Sequence, residues 1–205
     1  MNHPTKPQVH AFYRDPTRLV KEDQALCTSI VKGDARKSSD IERALRLTGA
    51  DVVILTTGTG ESAAKSDIRT TTGESLARAM KKPKFRHVTA VIVSGMGASE
   101  SRINVGFGKG RLYEFYLRHV IVDHTGQEAA FHDDEQLYDR TLVVRPTLMV
   151  DKKNNAGRKL VTFGDTDRCP TIGIDRIDVA SWIVGEITDG VVGGRSVNIT
   201  NAPKE

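Results

Sequence analysis

Cysteine, tryptophan and long apolar runs are scarce in this chain of 205 residues, which holds two cysteines, one tryptophan and 5% aromatic residues. Cys27 and Cys169 stand far apart, in no metal-binding or redox spacing. That excludes a disulfide scaffold and a cysteine-based zinc site, and leaves two reduced thiols of no special role. No apolar run approaches the roughly 20 residues that a membrane span needs. The opening "MNHPTKPQ" has polar residues and two prolines where a secretion signal carries its apolar centre, so export is not expected and a cytoplasmic site is. Internal repeats, low-complexity tracts and a Pro/Gly/Ser-rich interior linker are also missing. Residues 1–205 therefore read as one domain, long enough for a sizeable core.

Charged residues make up 27% of the chain and the formal net charge is +4. The basic run "KKPKFRH" at 81–87 contains one aromatic, Phe85, and reads as a solvated loop before a strand rather than a nucleic-acid surface.

What is present is an alternation of strand and helix patterns. Val9 to Tyr13 and "CTSIVKG" (27–33) read as two strands. A helix follows, with a capping-box spacing at Ser39 and Glu42 and a stripe of Ile41, Ala44 and Leu45. Val52 to Leu55 is a continuous apolar strand of the kind buried on both faces of a parallel sheet. Ser66 can cap a helix carrying Ile68, Leu76, Ala79 and Met80, and Val88 to Val93 is the next buried strand. A helix over about 111–130 leads to "RTLVVRP" (140–146), which Pro146 ends for want of a donor. "KLVTF" is a short strand, "IDRIDVASWIVGEI" (174–187) a helix opened by Asp175 or Asp178, and "RSVNIT" a last strand. The predicted fold is α/β, a Rossmann-like, doubly wound parallel sheet.

Arg14 stands directly after the first strand. In a dinucleotide fold that position meets the adenosine ribose, and an arginine there suits the 2′-phosphate of NADP where an acidic residue would suit NAD. "TTGTG" after the Val52 strand and "VSGMG" after the Val88 strand fall where open α/β sheets bind ligands, although each also reads as a simple turn.

Taken in order, "FYRDPTRL", "IVKGDARKSSDIERAL", "ADVVILTTGTG", "AVIVSG", "RTLVVRPTLM" and "IDRIDVASWI" resemble the atypical short-chain dehydrogenase/reductases, NAD(P)-binding proteins of the NmrA-like and biliverdin-IXβ (flavin) reductase branches. The resemblance covers residues 8 to about 200. It implies that Arg14 contacts the 2′-phosphate, and that Asp34 and Ala35 lie beside the adenine. Thr56, Thr57 and Gly58 would border the adenosine ribose and phosphates, Ser94 and Gly95 the nicotinamide ribose and substrate, and Pro146 and Thr147 the floor near the nicotinamide. NADP is the implied cofactor, ahead of NAD.

Two departures from that pattern matter. Where most short-chain dehydrogenases carry Tyr-x-x-x-Lys, "VIVDHTGQE" puts Val120 and His124, so the usual acid is absent. Tyr113 and Tyr116 are followed four residues later by Leu117 and Val120, not lysine. Protonation would come from solvent, or from His124, since an ordinary histidine titrates near pH ~6.5; His124 could instead hold the ribose. Ser94 and His124 are the catalytic candidates, and plain packing is the alternative for the histidine. His124, Glu128 and His132 share one helical face, but no second cluster completes a coordination shell, so no metal is expected.

The second departure is the missing Gly-x-x-Gly-x-x-Gly loop on a first strand. Only seven residues precede Gln8, and "GMG", "GFGKG" and "GG" follow the wrong strands or none. In the order 3-2-1-4-5-6 the absent element, an N-terminal β-α unit, is the central strand, whose burial contributes on the order of 10 kcal/mol. The chain is expected to be a shortened form, or to re-close its sheet with the Val9 strand beside the Val52 strand, and in either case to bind cofactor weakly. Three functions remain open: an NADPH-dependent reductase of a flavin, quinone or tetrapyrrole, a small-molecule substrate in each case; a non-catalytic NADP redox sensor acting on a regulatory protein partner; and a fragment with little ligand binding. No nucleic-acid or membrane partner is expected.

Overall fold

A computed structural model describes residues 7–60, 62–151, 158–190 and 193–203. The opening hexapeptide, part of the segment read above as lacking an export signal, lies outside the described residues. β1 (His10–Tyr13) and β2 (Ser29–Lys32) pair in parallel as a two-stranded ribbon. Between them runs a short α1 (Lys21–Leu26) that the sequence pattern did not predict. α2 (Ser38–Thr48), with Lys37 at its N-cap, starts two residues earlier than the capping-box reading. Ser39 therefore sits inside the first turn rather than at the cap, and Asp40 reaches back to accept from the Asp34 amide at 2.9 Å.

β3 (Val52–Leu55), β4 (Thr89–Val93) and β5 (Thr141–Pro146) are parallel neighbours. β9 (Arg195–Asn201) continues the sheet in parallel beside β5, and β7 (Leu160–Phe163) closes its far edge antiparallel to β9. The order is β3-β4-β5-β9-β7. A second ribbon joins β6 (Leu148–Val150) to β8 (Gly173–Asp175). β8 occupies the start of the segment predicted as helix; α6 (Arg176–Thr188) begins only after it, and Asp175 is the residue that caps it, accepting from the Ile177 amide.

Period-two alternation puts the core on both faces of the sheet. Ala90, Ile92 and Val143 pack with Ile41 and Leu45 of α2, Leu76 and Met80 of α3 (Ile68–Met80), and Phe131 of α4 (Lys109–His132). Leu137, from the short α5 (Glu135–Tyr138), joins that face. Val91, Val93, Leu142 and Val144 meet Val179 and Ile183 of α6 on the other. Phe85, the one aromatic of the basic run, is buried in this core, while Lys81 and Lys82 pair with Asp134 and Glu42.

The re-closed sheet expected from sequence does not form. β1 pairs with β2, β3 with β4, and no described strand lies between the two sheets. A slot of about 310 Å³ separates them, lined by Phe12, Val31, Val53, Leu55 and Leu76 among others. The β1–β2 ribbon is held from behind instead. Ile41 and Leu45 of α2 enter the common core, the Ser75 hydroxyl donates to the Arg36 carbonyl at 2.7 Å, and Arg36 meets Asp67 at 2.9 Å.

Candidate functional site

At the carboxyl ends of β4 and β5 the chain leaves the sheet through Ser94-Gly95 and Pro146-Thr147, and these residues line a cavity of about 460 Å³. Its walls come from α4 (Tyr113, Tyr116, Leu117, Val120, Ile121), from Ile103 and Val105, and from β6. A volume in this range, mostly apolar with a few convergent polar groups, is that of a small-molecule site.

The polar groups are set by a buried network. Arg145, inside the apolar strand β5, sends Nε and Nη2 to Glu128 of α4 at 3.0 and 2.6 Å, and Nη1 to Asp165 at 3.0 Å. Asn198 on β9 donates to the same Asp165 at 2.7 Å. Burial pulls the Glu128 carboxyl upward, but Arg145 and the hydroxyls of Ser94 and Ser99 outweigh it and hold it below the usual carboxylate range. An ionised carboxylate only accepts. The Ser94 hydroxyl therefore gives its one proton to Glu128, as Ser99 does at 2.6 Å, and Ser94 can only accept from anything in the cavity.

His124 is one turn before Glu128. Burial, and then the charge of Arg69, push it down from 6.5 to about 4, with Glu128 opposing. The imidazole is neutral at pH 7, which removes the imidazolium proton source envisaged from an ordinary titration. Its Nδ1 is buried without a hydrogen-bond partner among the described residues, and the Nε2 edge lies against Gly95, where a Cβ would come within 3.2 Å.

Beside it, Asp123 caps α3 from the neighbouring helix, accepting from the amides of Arg69 (3.2 Å) and Thr70 (2.9 Å). This carboxylate sits where a free helix N-terminus would otherwise attract an anion. α3 and α4 approach closely because Gly73 and Gly126 face one another's helices. A Cβ on Gly126 would fall 2.3 Å from Thr70 Oγ1, and one on Gly73 would fall 3.0 Å from the Gln127 carbonyl.

Eight of the eleven predicted residues fall into two groups, and Arg14, Asp34 and Gly58 line neither cavity. Ser94, Gly95, Pro146, Thr147 and His124 converge on the cavity; Ala35, Thr56 and Thr57 line the top of the slot beside β1. Thr57 Oγ1 is 2.7 Å from Thr72 Oγ1, whose own proton goes to the Ile68 carbonyl, so the Thr57 hydroxyl is spent on α3. Thr147 is likewise paired with Thr200 at 3.0 Å. The Asp34 carboxylate accepts from the Arg36 amide at 3.0 Å in a local turn. Arg14 and Gly58 are exposed and border neither cavity, and Arg14 makes no ion pair among the described residues. On the α4 face of His124, Glu128 and His132, both Glu128 oxygens serve Arg145 and His132 Nε2 is 3.1 Å from Ser196 Oγ; no group of ligating residues suited to a metal ion occurs among the described residues.

Sequence reasoning missed Arg145, Arg69 and the apolar wall. A charge inside "LVVRP" was the available signal, because a charged residue in a doubly buried strand needs a partner. Arg69 carried none.

A dinucleotide fits this site in part. The bare backbone at Gly95 lets a flat ring approach the β4–β5 ends, while no glycine lines the slot among the described residues.

The fold is that of an open, mostly parallel α/β nucleotide-binding domain. The NAD(P)H-binding family matches residues 3–190, and the chain belongs to it. No curated protein matches significantly. Among solved structures, the chain is similar to a short-chain dehydrogenase/reductase of Veillonella parvula in complex with NADP (14% identity, TM-score 0.68, covering 95% of this chain and 82% of that one). It is also similar to ChuY, an anaerobilin reductase of Escherichia coli O157:H7 (15%, TM-score 0.67, 97% and 86%). A third likeness is to the oxidoreductase YlbE of Lactococcus lactis (15%, TM-score 0.68, 96% and 81%). No helix among the described residues is long and apolar enough to cross a membrane.

Proposed function

We propose that the chain is an NADPH-dependent reductase of a flat, conjugated small molecule of flavin, quinone or tetrapyrrole type. The observation that carries the reading is the meeting of Ser94, Gly95 and the neutral His124 at the mouth of an apolar cavity above the β4 and β5 ends. Ligands of open α/β sheets bind at that end. NADP is preferred over NAD because Arg14 is an exposed guanidinium directly after β1. The likeness to a protein crystallised with NADP and to an anaerobilin reductase supports the same class.

When bound, the reduced nicotinamide supplies a hydride, two electrons with one proton, to an electrophilic carbon of the acceptor. The chain's own part is to hold and to exclude. Ser94 offers a lone pair to a ribose hydroxyl, Gly95 allows close approach, and the α4 wall gives the acceptor an apolar surface to lie against. With Ser94 committed to Glu128 and His124 neutral, the remaining proton comes from solvent.

The test is turnover. Incubated with NADPH and flavin mononucleotide, a quinone or biliverdin, the chain should consume reduced-nicotinamide absorbance with at least one of them, faster with NADPH than NADH. Absence of turnover with all three acceptors contradicts the reading.

A further inference from the structure

Arg69 opens α3 and is buried, with 7% of its surface exposed. Among the described residues its one ion pair is Nη1 to Asp123 Oδ2 at 3.4 Å, longer than a good charge-assisted bond. That carboxylate does not depend on it, since Asp123 already accepts from the Arg69 and Thr70 amides, and Thr70 Oγ1 lies 3.0 Å from Oδ1. The Nε and Nη2 donors have no acceptor among the described residues. A guanidinium presents five N–H donors, and burying it under-paired is costly. Here the free part faces a particular place: Nη2 would be 2.9 Å from a Cβ on Gly58, in the loop that leaves β3, and Arg69 lines the cavity together with Ser94, Gly95 and His124.

β3 borders the slot across which the sheet order reverses. A dinucleotide reaching from Arg14 at the end of β1 to Gly95 at the end of β4 has to cross the end of β3 at its middle, and the middle of a dinucleotide is its diphosphate. We infer that Arg69 is the diphosphate-binding residue of this chain, its free guanidinium edge receiving the anionic oxygens that a glycine loop elsewhere holds with backbone amides. Gly58 is part of the same device, because any side chain there would meet the guanidinium. This rests on the reading of the site as a dinucleotide site.

Binding, not activity, tests it. NADPH, ADP-ribose and adenosine 2′-monophosphate are titrated calorimetrically against the wild type, Arg69→Met and Arg69→Lys. Asp123 keeps its backbone donors in both variants, and thermal melts followed by circular dichroism verify the fold. Arg69→Met should weaken NADPH and ADP-ribose by about 10- to 100-fold, the loss of a charge-assisted contact. Arg69→Lys should lose less, and adenosine 2′-monophosphate, which has no diphosphate, should be unaffected.

Undiminished ADP-ribose affinity in Arg69→Met overturns the assignment while leaving the dinucleotide site standing. So does an equal loss for adenosine 2′-monophosphate, or a loss confined to the KM of the acceptor. If the wild type binds neither NADPH nor ADP-ribose at millimolar concentration, the dinucleotide reading fails, and this one with it.

Discussion

The Ser94 hydroxyl donates to Glu128, and Glu128 is held in turn by a two-pronged contact from Arg145. Three elements, the end of β4, the C-terminal part of α4 and β5, are thereby locked at the mouth of the cavity, and the serine is fixed as an acceptor toward it. Glu128 and Arg145 are both almost fully buried, so removing one leaves the other uncompensated. Arg145→Met should destabilise the chain by about 3–5 kcal/mol, and Glu128→Gln combined with Arg145→Met should recover a large part of that loss. Urea denaturation of the two variants checks it. A double variant no more stable than Arg145→Met alone means the pair is not coupled as described.

The depressed His124 gives a pH signature. Its folded value, about 4, lies below the ordinary 6.5, so between those values the unfolded chain binds a proton that the folded chain refuses. Stability is full above about pH 6.5 and falls as pH drops toward 4, by about 3 kcal/mol for this residue. His132, also lowered by burial, acts in the same direction. His124→Asn should flatten the profile over that window relative to wild type; superimposable profiles would show that the histidine is not held neutral.

Gly126→Ala is expected to destabilise despite the better helix propensity of alanine, because the added methyl would fall 2.3 Å from Thr70 Oγ1 at the α3–α4 crossing. Forced overpacking of this kind costs about 1–3 kcal/mol. A midpoint equal to or above wild type in chemical denaturation would mean that the helices sit farther apart.

The slot beside β3 makes two isoleucines unequal. Ile54 is 46% exposed, whereas Ile92, on the adjoining strand, is fully buried. Ile92→Ala should cost about 2–5 kcal/mol and Ile54→Ala less than about 1 kcal/mol. Equal costs would indicate that the slot is filled in solution.

The central strands were legible because their apolar runs have the length and β-branched content of doubly buried strands, and α2 because Ile41 and Leu45 recur on one face. The ends of these strands, and with them Ser94, Gly95, Pro146 and Thr147, followed directly. β6 and β8 were not legible: three residues each, they are strands only because tertiary packing brings them together. Nor was the partnership of Glu128 with Arg145, which is spatial rather than local; with its neighbours His124 and His132, Glu128 read only as part of a helix face on which no metal was expected. The empty place beside β3 was foreseen from the missing glycine loop, but its outcome was not. The ribbon is held by α2 from behind, so the sheet has no need to close.

The most direct measurement of the central claim is a calorimetric titration of NADPH against the wild type and Gly95→Val, whose side chain would intrude between the β4 end and His124. Saturable binding by the wild type, weakened at least about tenfold in Gly95→Val while that variant keeps the native circular-dichroism spectrum and a cooperative melt, is the expected result. Binding of equal strength in both proteins, or none in either at millimolar NADPH, contradicts a nicotinamide site above β4 and β5.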